Sequence, residues 1–156
     1  MDLKQLYQDI ILDHGKSPRN FGKCEGYNSE AKGYNPLCGD LVQVYLKLNI
    51  EKKVEDLTFE GNGCAISMAS ASIMTDLVKG KSHKVAKKII DAFLKMIKSS
   101  TEMKSDDLDE NQKTKIMSQS GVKQFPMRVK CATLSWHTLV SAMEGKREEV
   151  NTEIID

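Results

Sequence analysis

Residues 41–60 read LVQVYLKLNIEKKVEDLTFE, and this stretch decides the fold. Val42, Val44, Leu46, Leu48 and Ile50 alternate with Leu41, Gln43, Tyr45, Lys47 and Asn49. A period of two marks a strand with one buried face. Glu51-Lys52-Lys53 makes a charged turn, and Val54 to Glu60 gives a second run with Leu57 and Phe59 on one side. The two runs predict an antiparallel hairpin. A weaker pattern from Ala31 to Tyr34 adds a third strand.

On the N-terminal side, Leu3, Leu6, Tyr7, Ile10 and Ile11 have the spacing of one helical face, with Asp2 placed as N-cap and His14-Gly15 as the end. On the other side, Gly61-Asn62-Gly63 leads into a helix lined by Ile66, Ala69, Ile73, Leu77 and Val78, whose serines and alanines permit close packing. Val85, Ile89, Ala92, Phe93 and Met96 mark another amphipathic helix. Residues 99–121 are polar and charged, with Asp106, Asp107, Asp109 and Glu110 clustered, and read as an exposed insertion with a short helix outside the core. Ala132, Leu134, Trp136, Leu139, Val140 and Met143 support a last helix ending at Gly145. The class expected is α+β, a small antiparallel sheet with helices packed mainly on one face. One domain spans residues 1–147, with the insertion at about 99–121, and residues 148–156 form a charged, frayed tail.

The 156 residues suffice for one packed core, and 40% hydrophobic with 29% charged residues is the mix of a soluble globular chain. Twenty-three basic residues against 22 acidic ones leave no field to hold a phosphate backbone or an anionic bilayer, which argues against nucleic-acid and membrane partners. Met1-Asp2-Leu3-Lys4-Gln5 has no secretory pattern, and no stretch approaches the roughly 18–20 apolar residues of a membrane span. A cytoplasmic location follows as the expectation. There thiols stay reduced, and cysteines serve metal binding or chemistry.

Cys38 and Asp40 sit in the turn Asn35-Pro36-Leu37-Cys38-Gly39-Asp40, which can aim both side chains at one point. Cys64 follows Gly61-Asn62-Gly63 where strand gives way to helix, and a helix N-terminus favours a thiolate. Cys131 stands at the start of the last helix, behind Arg128 and Lys130. Three sulfurs and one carboxylate make a four-coordinate zinc set. The residue types leave a second reading open: Cys64 and Cys131 as small buried hydrophobes, with Asp40 completing a turn. His14, His83 and His137 lack ligand spacing, and Cys24, in a polar loop, reads as a bystander.

Asn-Pro-x-Cys-Gly-Asp at 35–40, Gly-x-Gly-Cys-x-Ile-Ser at 61–67 and Cys-Ala-x-Leu at 131–134, in this order, resemble the U-type iron-sulfur assembly scaffold family related to the N-terminal domain of NifU. The resemblance runs from Tyr7 through Met143 and implies that Cys38, Asp40, Cys64 and Cys131 are the metal ligands. Where the branch served by a specialised Hsp70 has Leu-Pro-Pro-Val-Lys followed by His-Cys, this chain reads Phe125-Pro126-Met127-Arg128-Val129-Lys130-Cys131. Hsp70 recognition is therefore not expected, and Lys130 stands where a histidine ligand occurs elsewhere in the family. Arg-x-Lys-Cys and the long insertion look like the SufU branch. That resemblance implies zinc-dependent sulfur transfer in partnership with a SufS-type cysteine desulfurase. The position of Cys38 in its turn makes it the expected acceptor of the persulfide sulfur, with Arg128 stabilising the displaced thiolate or Asp40 by a charge-assisted contact. A downstream iron-sulfur assembly protein or thiol would be the acceptor. The alternative it implies is a scaffold that assembles and transfers a transient [2Fe-2S] cluster on the three thiols.

Overall fold

The computed structural model describes residues 2–98, 108–146 and 148–153. Four strands, β1 (Ser29–Asn35), β2 (Asp40–Leu48), β3 (Val54–Asn62) and β4 (Val150–Asn151), form one sheet in the order β3-β2-β1-β4. β1, β2 and β3 pair antiparallel, Ala31 facing Val44 and Val44 facing Phe59. β2 stops at Leu48, short of the expected Ile50, which is fully exposed. The reason is local: Lys52 adopts φ +63°, its N–H donates to Asn49 O, and Asn49 Oδ1 accepts from the Lys53 N–H at 2.8 Å, so the turn begins at Asn49.

The inward positions Ala31, Val42, Val44, Leu46, Leu57 and Phe59 form the sheet's share of the core, covered by helices. α1 (Leu3–Lys16) is capped by Asp2, whose carboxylate accepts from the Gln5 N–H at 2.7 Å. α2 (Ala65–Val78) is buried nearly all round, its small residues admitting α1 on one side and α5 (Val129–Met143) on the other. α3 (His83–Lys98) stacks Phe93 on Trp136 of α5 with centroids 4.1 Å apart. The Trp136 indole N–H donates to Ser70 Oγ at 2.9 Å, and the Ser70 hydroxyl donates to the Ala132 carbonyl, which locks α2 to α5 one residue beyond Cys131. α1 is docked less fully than its stripe suggests. Tyr7 and His14 are buried, but Leu6, Ile10 and Ile11 are only half-buried, and Leu3 and Leu12 face solvent.

The insertion expected at 99–121 is corrected in part. Residues 99–107 lie outside the described residues, but α4 (Glu110–Met117) and the 3-10 segment Ser118–Gln124 belong to the core, with Leu108, Ile116 and Val122 buried. Leu108, Gln112 and Ile116 recur every four residues, and the Asp109–Gln112 capping box starts the helix. The tail is corrected too. Val150 and Asn151 pair parallel with Gly33 and Tyr34 of β1, and Thr152 is buried, although residues 154–156 lie outside the described residues. At the opposite edge, Phe21 bridges Phe59, and β3 also exchanges backbone hydrogen bonds with Asn20 and Gly22. No described helix is long and apolar enough to cross a membrane.

Candidate metal centre

Asn35 ends β1 and Asp40 begins β2 as facing residues, so Pro36–Gly39 is the hairpin loop and Cys38 stands near its tip. Gly39, at φ +72°, closes the loop by donating its N–H to the Asn35 carbonyl at 2.8 Å. At the end of β3, Gly63 adopts φ +154° directly against Asp40. A Cβ there would lie 2.4 Å from Asp40 Oδ1. Cys64 then caps α2, its sulfur accepting from the Ser67 N–H at 3.4 Å while its own N–H donates to Asp40 Oδ1 at 2.9 Å. Cys131 enters from the first turn of α5 and is fully buried, as is Asp40. Cys38 and Cys64 are half-buried.

One ligand atom from each of Cys38, Asp40 and Cys131 lies within 4.8 Å of the others. Cys64 adjoins this triad by hydrogen bonding with Cys131, which is the main cause holding the Cys64 thiol well below its ordinary range; the Ser67 amide adds to the effect. The same bond, followed by burial and by Asp40, pushes Cys131 far up. The two thiols thus share one contact and are shifted in opposite directions by it. A buried carboxylate and three thiols that cannot all ionise beside it form a donor set that a divalent cation completes. Zinc fits this set by its sulfur and oxygen preference.

Arg128 points its Nη1 at Cys38 Sγ from 3.8 Å. Its guanidinium is pushed further up chiefly by hydrogen bonding with Cys131, then by the charges of Cys64 and Cys38. Lys130 turns away and pairs with Glu153 at 3.2 Å. Three site residues were given no role by sequence reasoning. Asn35 donates to both Asp40 Oδ2, at 3.1 Å, and Cys131 Sγ, at 3.4 Å. Thr152 donates to Asn35 Oδ1 at 2.9 Å. Tyr7 buries a hydroxyl with no partner among the described residues, and its pKa is raised by burial first and by Cys64 next. Asn35 is legible as part of its motif, whereas Tyr7 looks like any apolar helix position and Thr152 carries no signal. His14 is more buried than expected: its Nδ1 sits 2.7 Å from Ser72 Oγ, on the far part of α2. Cys24 is also buried, not loop-exposed. A cleft of about 800 Å3 opens beside Arg128, lined also by Tyr7, Ile11, Ile66 and Phe125 among others.

An α+β scaffold that gathers cysteines and an aspartate from a hairpin loop, a helix cap and a second helix start defines a class of small thiol-rich proteins with a candidate metal site. The profile of the NifU-like N terminal domain matches residues 6–132, and the chain belongs to that family. It is 42% identical over 138 residues to the zinc-dependent sulfurtransferase SufU of Bacillus subtilis, covering 88% of this chain and 89% of that one. To the iron-sulfur cluster assembly scaffold protein IscU of Streptococcus pyogenes it is 38% identical over 142 residues, covering 91% and 85%. A solved structure from Fervidobacterium islandicum, titled as a scaffold protein for the SUF system, superposes with a TM-score of 0.77 at 34% identity, over 89% of this chain and 97% of that one. The chain is thus a member of the family that includes the proteins named IscU and SufU.

Proposed function

We propose that this protein is a zinc-dependent sulfurtransferase that takes persulfide sulfur from a SufS-type cysteine desulfurase in the cytoplasm and yields it to an iron-sulfur assembly protein or thiol. Cys38, Asp40, Cys64 and Cys131 would hold the zinc, which when bound supplies a positive charge that keeps cysteine sulfurs deprotonated at neutral pH. The reading rests on the convergence of Cys38, Asp40 and Cys131 with Arg128 beside the one sulfur of that triad that reaches the surface.

Cys38 is the acceptor. Its sulfur attacks the terminal sulfur of the donor persulfide: a new S–S bond forms on Cys38, the donor's S–S bond breaks, and the donor cysteine leaves as a thiolate carrying that electron pair. No net oxidation occurs, since sulfane sulfur only changes hosts. Arg128 places a cation beside the sulfur that carries negative charge as it attacks. Asp40, pinned by the Cys64 N–H and Asn35, and Cys131, buried in α5, stay in place while the loop carrying Cys38 meets the donor. The cleft beside Arg128, lined by Leu3, Leu12 and Phe125, which are exposed, offers an apolar seat for the donor's cysteine loop.

The deciding experiment measures metal content and desulfurase turnover, wild type against Cys38→Ala. Stoichiometric zinc, with stimulation lost in Cys38→Ala, is expected. Iron with labile sulfide and no stimulation would replace this reading with the [2Fe-2S] scaffold, which the IscU relative's name favours.

A further inference from the structure

We infer that the C-terminal strand is a working part of the metal centre, with Thr152 as a positioning residue that holds the Asn35 amide against Asp40 and Cys131. The inference rests on the reading that these residues bind a metal. Asn35 and Thr152 are 0% and 2% exposed, so solvent cannot substitute for either partner. An asparagine amide has a donor end and an acceptor end. Both hydrogens of its NH2 are engaged, one by the Asp40 carboxylate and one by the Cys131 sulfur, on elements 91 residues apart in the chain (131 − 40 = 91). Its carbonyl end is satisfied by the Thr152 hydroxyl.

Removing that hydroxyl leaves a buried carbonyl oxygen short of its partner. The amide then gains by rotating toward another donor, and any such rotation withdraws the NH2 from Asp40 and Cys131 together. With Oδ2 held by Asn35 and Oδ1 by the Cys64 N–H, the carboxylate has a set orientation and still has lone pairs free for a cation. Releasing one of the two lets it turn. Groups of this outer kind orient the ligands they touch, and their loss typically costs about 10–100-fold in metal affinity.

The strand is built to deliver this contact. Gly33 faces Val150 and Tyr34 faces Asn151, so the next step along both strands brings Thr152 to Asn35. The Thr152 N–H donates to the Tyr34 carbonyl at 3.1 Å, and Glu153 pairs with Lys130, the residue before Cys131. The last turn of chain is thereby tied to both β1 and α5.

The test compares full-length wild type, Thr152→Val, which keeps the branched shape, and Thr152→Ser, which keeps the hydroxyl. Zinc affinity is read by competition with a chromophoric chelator, and hydrogen exchange of the Asn35 side-chain amide is followed by NMR in the metal-free protein. Thr152→Val is expected to weaken zinc binding by about tenfold or more and to speed Asn35 amide exchange, while Thr152→Ser stays near wild type in both. Unchanged affinity with unchanged exchange in Thr152→Val overturns the inference. A wild type that takes up no zinc overturns the metal reading, and amide exchange still decides whether Thr152 clamps Asn35. Should Thr152→Val alter the circular dichroism, deletion of residues 152–156 gives the same two readouts with the same expected direction.

Discussion

At Gly63 the chain passes so close to Asp40 that a methyl group has no room. Gly63→Ala puts a Cβ 2.4 Å from Asp40 Oδ1 and 3.0 Å from its Cα, at a φ that side chains rarely adopt. The expected result is a displaced carboxylate and zinc affinity lower by at least tenfold, measured by chelator competition, with little change in far-UV circular dichroism. His14 makes a prediction of opposite character. Burial, then Arg19, holds its pKa below the ordinary histidine value, with Asp13 opposing. Its Nδ1 lies 2.7 Å from Ser72 Oγ, which also accepts the Arg19 N–H, an arrangement that suits a neutral ring accepting from the hydroxyl. As pH falls through about 6.5 the unfolded chain takes up a proton that the folded chain resists, so stability present above that pH is lost below it. His137 shares the sign. In metal-free protein, the urea midpoint should drop from pH 7.5 to pH 5.5, and His14→Gln should lessen that drop.

Among the elements, α4 offers a sharp test. Ile116 is fully buried there, so Ile116→Ala should cost about 2–5 kcal/mol in urea unfolding, whereas a solvent-facing insertion would show almost none. The reasons for reading this segment as exposed are physical. Its inward positions include Gln112, Ser118 and Gln119, all buried, and polar residues at core positions erase the apolar period. β2 and β3 were legible because their alternation is strict and aliphatic. β1 was faint because its inward residues are Ala31, Gly33 and Asn35; at Gly33 any side chain would collide with Thr138 and Leu134 of α5. β4 has only two residues, too few for any period. Cys38, Asp40, Cys64 and Cys131 stood out as chemistry at chain reversals, yet their convergence depends on β1–β2 pairing and α2–α5 packing, neither of which local pattern specifies. Thr152 lies 117 residues from the amide it serves.

For the molecule as a whole, the candidate metal centre lies where the hairpin loop, the α2 cap and the α5 start meet, while the main core runs from Leu46, Leu57 and Phe59 to Phe93 and Trp136. The two are separable. Chelation should therefore lower the melting temperature without erasing helical circular dichroism. At zinc a hundredfold above its dissociation constant, binding contributes about 2.7 kcal/mol. For a chain of this size that corresponds to a fall of roughly 5–11 °C, read by thermal denaturation with and without chelator. Loss of secondary structure on chelation would show that the ion is a folding staple.

Each side of the sheet ends in a short borrowed piece of chain: Asn20 to Gly22 along β3, and Val150–Asn151 along β1. Strands with bare hydrogen-bonding edges are templates on which other chains add. These two pieces work as selvedges, finishing the fabric so that it does not ravel into its neighbours. A copy shortened after Gly145 would bare the backbone of Gly33 and Tyr34, and the first sign of harm should be concentration-dependent association in light scattering.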